Sequence, residues 1–246
     1  MSIHTDEEFE KLKAIGKIVR CSLDEMSAAV RSGITTLELD HIGLRMLKQH
    51  GAEAAPPKVY GFPGAVCISV NDEAVHGVPG GRKLLEGDLV KLDLVAMKDG
   101  FFADAAMTIR VGKVSSTADD LVRCAEAAFW RAMNVARIGF RTCHIGREVE
   151  REVLHRGFKV MPEFGGHGVG RTIHEHPSVP NFYDRSAWTK LFSGLVIAVE
   201  PIISAGSGEG VLMPDRWTVR TADRSLSAHY EHTIVITKGK PVLLTA

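Results

Sequence analysis

The sequence carries no excess charge: 30 Lys and Arg balance 30 Asp and Glu over 246 residues. That removes the electrostatic basis for binding nucleic acid or an acidic membrane, and neither is expected as a specific partner. Cysteine is scarce, and Cys21, Cys67, Cys124 and Cys143 never fall in a C-x-x-C spacing. A chain of this length needs no disulfide staples, so reduced thiols and a cytoplasmic location are expected. No apolar run approaches the roughly 18 to 20 residues of a membrane span. The first residues, Met1 to Glu8, lack the basic and apolar regions of a secretory signal. Low-complexity linkers are missing too, which argues for a single domain over residues 1–246. What remains, 45% hydrophobic and 24% charged residues, is ordinary for a globular protein and leaves the function to particular side chains.

Local signals predict two helices first. Thr5 to Glu8 fits a capping box, and Phe9, Leu12, Ile15, Ile18 and Val19 continue at helical spacing to about Val30. Thr35 to Glu38 is a second box, opening a helix that ends at Gly51. Pro56, Pro57, Gly61, Pro63 and Gly64 predict a shaped loop. A strand over Val66–Val70 follows, then a turn-rich loop from Asn71 to Gly81. Two further helices are expected, one from Ser115 and one over about Thr142 to Arg156. Beyond Phe164 the pattern is of strands and loops, including Leu195–Val199, Gly210–Arg220 and His232–Thr237. Helix, helix and strands thus occur twice in the same order, which predicts an α+β fold.

Between the two sets lies the stretch Asp88 to Val111. Leu89, Val90, Leu92, Leu94 and Val95 read as a buried strand, and Lys98-Asp99-Gly100 as the tight turn into a partner strand from Phe101. Asp93 and Asp104 therefore sit inside apolar strands, eleven positions apart around one turn. Taken alone, they could be one exposed carboxylate and one salt-bridged to a lysine. Unpaired buried carboxylates are costly, and two side by side repel unless cations lie between them.

Other segments tip the balance. Gly165-Gly166-His167-Gly168-Val169-Gly170 encloses a histidine in glycines that permit close backbone approach. This run neither follows a clear strand nor opens a helix, which disfavours a phosphate loop. His174-Glu175-His176-Pro177 is not the zinc-protease helix motif, because the second histidine is misplaced and proline breaks the helix. Glu200 ends an apolar strand, and Glu231 begins another in His229-Tyr-Glu-His-Thr-Ile234. Four carboxylates contribute four negative charges, which two divalent cations neutralise. Oxygen-rich ligands with one imidazole suit manganese, iron or cobalt at least as well as zinc.

Together with Asn71-Asp-Glu-Ala-Val-His76-Gly-Val-Pro79, these motifs resemble the type I methionine aminopeptidases in their short bacterial form, within metallopeptidase family M24. The likeness runs in order through nearly the whole chain. It implies the pita-bread fold: two pseudo-symmetric halves, a curved antiparallel sheet and helices on its outer face. It also implies hydrolysis of an N-terminal methionine, preceding a small residue, by a metal-bridging hydroxide. By the resemblance Asp93, Asp104, His167, Glu200 and Glu231 hold two divalent ions (cobalt, manganese, iron or zinc), with Asp104 and Glu231 bridging. Glu200 also shuttles a proton, His174 stabilises the oxyanion and His76 meets the scissile amide. Asn71 and Ser227 match positions near a monovalent-cation site. The implied partners are N-termini of nascent chains or peptides, met by a monomer with transient ribosome contact.

The pocket departs from the family pattern. Pro56, Val59 and Tyr60, followed by Phe62, stand where cysteine, tyrosine and histidine are usual, and Ile173 replaces an aromatic, while Trp217 matches. Val59, Tyr60, Phe62, Ile173 and Trp217 are expected to line an apolar slot with weakened preference for methionine. Ala105 and Ala106 replace hydroxyl residues beside the second aspartate, removing hydrogen-bond partners that support a ligand. Two alternatives stay open: a same-fold aminopeptidase of different N-terminal specificity, and a non-catalytic peptide-binding homologue.

Overall fold

The computed structural model describes residues 1–246. Helix α1, Asp6–Ala29, starts where the Thr5 hydroxyl accepts from the Glu8 amide. Helix α2, Thr36–Gln49, carries the full reciprocal capping box between Thr35 and Glu38. After these the expected loop contains a short helix instead: α3, Ala55–Tyr60. Pro56 and Pro57 lie in its first turn, where a missing amide proton costs nothing, so the prolines start it rather than break it. Helices α4, Ser116–Met133, and α5, Thr142–His155, open the second half.

A central antiparallel hairpin, Leu89–Lys98 with Phe101–Arg110, reverses at Asp99 and Gly100, both in left-handed backbone with φ of 51° and 80°. It anchors a nine-stranded sheet. On one side Cys67–Val70 and Glu53–Ala54 pair with its first strand. On the other, Glu231–Val235 pairs with its second strand, followed outward by Val196–Val199, Gly165–Gly168 and Glu175–Pro180. Every pairing is antiparallel. The glycine run around His167 is therefore itself a strand. The strand-and-loop pattern expected over Gly210–Arg220 resolves into two short strands, Gly210–Leu212 and Val219–Thr221, and the second pairs with Glu73–Val75 inside the predicted loop.

Alternation along the strands sorts the chemistry. Leu92, Leu94, Ala96, Phe101, Ala103 and Ala105 join a 30-residue core with Leu12, Ile15, Leu23 and Leu39 of α1 and α2. A second core of 24 residues joins Leu121 and Phe129 of α4 and Val149 of α5 to Ile197, Val199 and Ile234. Two cores of comparable size behind one sheet account for the doubled element order. Residues on the opposite parity, Lys91, Asp93, Asp104 and Ala106, face the concave side. No helix is long and apolar enough to cross a membrane.

Candidate metal centre and peptide cleft

Register places the acidic groups in rows. Asp93 pairs with Ala106, and Ala106 with Glu231, so the two carboxylates flank one methyl across three strands. Asp104 lies two residues along on the same face, which makes it a diagonal neighbour of Asp93. Its amide donates to Thr233 Oγ1, whose hydroxyl donates back to the Asp104 carbonyl, locking that strand to Glu231–Val235. The small Ala106 leaves open space between the carboxylates where a larger side chain would stand.

His167 reaches the same point from the far side of the sheet. A Cβ on Gly166 would stand 2.2 Å from the Ala198 carbonyl oxygen, and one on Gly168 2.2 Å from that of His176. Only glycine allows this strand to lie so close to its neighbours. His167 Nδ1 donates to the Gly168 carbonyl at 3.0 Å, which leaves Nε2 unprotonated and facing Glu200 Oε1 at 3.4 Å and Asp104 Oδ2 at 3.9 Å. Burial, aided by His174, pulls the ring down to about 4, so it is the neutral, ligating form.

The carboxylates are buried close together. Asp104 is 5% exposed and Glu231 2%, and Asp104 Oδ1 and Glu231 Oε1 find no hydrogen-bond partner. Burial raises Asp93; burial first, then repulsion from Glu231 and Asp93, drives Asp104 well above the carboxylate range. Glu200 and Glu231 are raised likewise, each by burial and then by neighbouring carboxylates. Converging carboxylates with unspent lone pairs and one neutral imidazole are a donor set that fits divalent cations. Asp104, His167 and Glu231 bring ligand atoms within 4.8 Å of one another, as do Glu200, His229 and Glu231.

His229 was not singled out in the sequence. It is 2% exposed, with Nε2 3.5 Å from Glu231 Oε2 and 3.8 Å from Glu200 Oε2, and neither ring nitrogen has a hydrogen-bond partner. Its position two residues before Glu231 was the available signal, but strand Ser227–His229 ends between them and no single periodicity joins the pair.

All of these groups border one cavity of about 250 Å³. His76, in left-handed backbone at φ 56°, and His174 both line its wall. Both keep accessible surface, yet the enclosing walls strip enough water to lower each ring below its usual value. Tyr60 Oη lies 2.6 Å from His174 Nδ1. The apolar side includes Phe62 packed edge-on to Trp217 at 5.3 Å, with Ile173 and Tyr60. Val59 is a correction: it is 46% exposed on the outer side of α3 and does not line the cavity. Cys67, Val75 and Val95 do line it, although the sequence reading passed over them. Near Asn71 and Ser227, where a monovalent cation was expected, the Nζ of Lys91 lies 2.6 Å from the Asn71 carbonyl oxygen and 3.0 Å from Ser227 Oγ.

Comparison with known proteins agrees with this geometry over the full chain. Residues 10–238 match the profile of metallopeptidase family M24. A methionine aminopeptidase of Clostridium perfringens is 40% identical over 243 residues, covering 99% of this chain and 98% of the relative. Methionine aminopeptidase 2 of Bacillus subtilis is 43% identical over 247 residues, covering 100% and 99%. The crystal structure of methionine aminopeptidase from Rickettsia prowazekii superposes with a TM-score of 0.96 at 33% identity, covering both chains completely. That superposition also establishes the expected pita-bread fold. A sheet that gathers four carboxylates and a histidine, in a chain matching the profile nearly end to end, leaves one assignment: this protein belongs to metallopeptidase family M24.

Proposed function

We propose that this chain is a metal-dependent methionine aminopeptidase, hydrolysing the first peptide bond of nascent chains or peptides whose second residue is small. The observation that carries the reading is the convergence of Asp93, Asp104, His167, Glu200 and Glu231, with unpaired buried oxygens, at the floor of an apolar cleft. These five residues would hold two divalent ions. Such ions supply Lewis acidity and a nucleophilic water at neutral pH.

The remaining work falls to side chains. Glu200, beside His167 and at the cavity wall, takes the proton of the attacking water and passes it to the leaving amine. His174 stabilises the developing oxyanion. In the tautomer this role needs, the Tyr60 hydroxyl donates to His174 Nδ1, which leaves Nε2–H free to donate to the substrate oxygen. His76 binds the scissile amide from the cavity wall. Phe62, Trp217, Ile173 and Tyr60 receive the unbranched methionine side chain. The enzyme acts in the cytoplasm as a monomer, meeting its substrates through transient contact with the ribosome.

The test is release of the first residue from Met-, norleucine-, Leu- and Ala-initiated peptides, with and without manganese or cobalt and after exhaustive chelation. Metal-dependent release of methionine from a Met-Ala-Ser peptide is expected. Release of a different first residue in preference would favour the same-fold alternative. Metal binding without turnover of any peptide would favour a peptide-binding homologue.

A further inference from the structure

Lys91 is 1% exposed on the concave face, two residues before Asp93 on the same strand. Its ammonium donates to the Asn71 carbonyl at 2.6 Å, the Ser227 carbonyl at 3.2 Å and Ser227 Oγ at 3.0 Å. None of these partners is a carboxylate. Burial pulls the group down to about 7, and three acceptors that use all three N–H bonds favour the ammonium over the neutral amine.

The oxygens come from two separate segments. Asn71 begins the loop that delivers His76, and is itself held in left-handed backbone at φ 57°. Its side chain accepts from the Leu89 amide and donates to Asp88, fixing it to the base of the lysine's own strand. Ser227 begins the strand that carries His229 and leads to Glu231, and its hydroxyl also lies 3.2 Å from the Glu73 carbonyl oxygen. Carbonyl and hydroxyl oxygens gathered this way are the donor set that replaces the hydration shell of a potassium or sodium ion. The Ser227 amide and hydroxyl reach the Asn71 carbonyl at 3.1 and 2.9 Å and close one edge of the cage, while the Lys91 ammonium serves its remaining lone pairs where water does not reach, since Ser227 is wholly buried.

We infer that Lys91 is a tethered monovalent cation: its ammonium fills the oxygen cage between the Asn71–His76 loop and the Ser227–His229 strand, and frees the protein from needing potassium or sodium there. Lys91 is thus a positioning residue. It joins the loop that carries His76 to the strand that leads to Glu231, and both of these residues line the cavity. The inference rests on the metal centre proposed above, but its test needs no peptide and so fails or succeeds separately from the aminopeptidase reading.

The experiment compares wild type, Lys91→Ala and Lys91→Met in tetramethylammonium buffer and after titration with lithium, sodium or potassium at fixed ionic strength. Melting temperature and manganese affinity by calorimetry are the readouts. Wild type is expected to change by less than about twofold in affinity. Lys91→Ala, which empties the cage, loses about tenfold in manganese affinity and regains it saturably with sodium or potassium. Lys91→Met refills the space without charge, and its loss is not recovered by any cation. Two results overturn the inference: a saturable, severalfold response of wild type to sodium or potassium, or a Lys91→Ala protein whose affinity and melting temperature no monovalent cation restores, whether or not it folds.

Discussion

Asp104 and Glu231 face the same difficulty, burial beside other carboxylates with an oxygen left unpaired. Replacing either by alanine is expected to abolish metal loading and turnover together, as read by elemental analysis beside peptide release. His174→Ala should keep the metal and lower kcat by roughly 10², the usual cost of one oxyanion donor. Loss of metal from the His174 variant, with retention by Asp104→Ala, would show that the roles are wrongly assigned. Tyr60→Phe removes only the hydroxyl that orients His174. The net worth of one hydrogen bond, about 0.5 to 1.5 kcal/mol, sets the fall in kcat at roughly twofold to tenfold, with KM unchanged. A rate equal to wild type would leave the 2.6 Å contact without a catalytic part. Asp93 and Asp104 stood out because each interrupts an apolar strand, Glu200 and Glu231 because each bounds one, and His167 because glycines surround it. Lys91 and His229 were not, because a lysine in a strand ordinarily reads as a solvated face and a lone histidine as a surface group.

At the scale of elements, local signals that act within a few residues were legible. The Asp99-Gly100 turn fixed the hairpin register, and hydroxyl caps at Thr5, Thr35 and Ser115 located three helix starts. Short elements held by distant partners were not. Strand Glu73–Val75 exists because it pairs with Val219–Thr221, some 145 positions away, and nothing in its own three residues says so. Helix α3 was hidden by reading two prolines as breakers when they occupy its first turn. That error matters for specificity, because the turn of α3 sends Val59 outward and Tyr60 toward His174. Weak discrimination of methionine was expected partly from Val59, and this support is withdrawn. Val59→Ala should leave kcat/KM for a Met-initiated peptide within about twofold. Phe62→Ala, which removes the ring packed on Trp217, should lower it by roughly 10- to 200-fold relative to an Ala-initiated peptide. Equal effects of the two substitutions would put the slot elsewhere.

At the scale of the molecule, the donors are divided between the halves. Asp93 and Asp104 come from the hairpin beside the first core, and His167, Glu200 and Glu231 from the strands beside the second. Burial and mutual repulsion raise Asp104, Glu200 and Glu231 well above the ordinary carboxylate range, so protons compete with metal at this shared floor. Loading then releases protons. Affinity is therefore expected to rise with pH, about tenfold per unit for each proton released, measured by calorimetry in buffers of different ionisation enthalpy. An affinity independent of pH would contradict the raised values. The division of donors has a mechanical consequence as well. Cut at the turn after Val111, the chain yields two pieces that each present only part of a binding site, joined in the sheet through the pairing of Ala105 and Ala106 with His232 and Glu231. Co-expressed fragments 1–112 and 113–246 are expected to co-elute with manganese and to separate on chelation. The ion would then serve as a removable rivet, and metal supply would decide whether two polypeptides count as one enzyme.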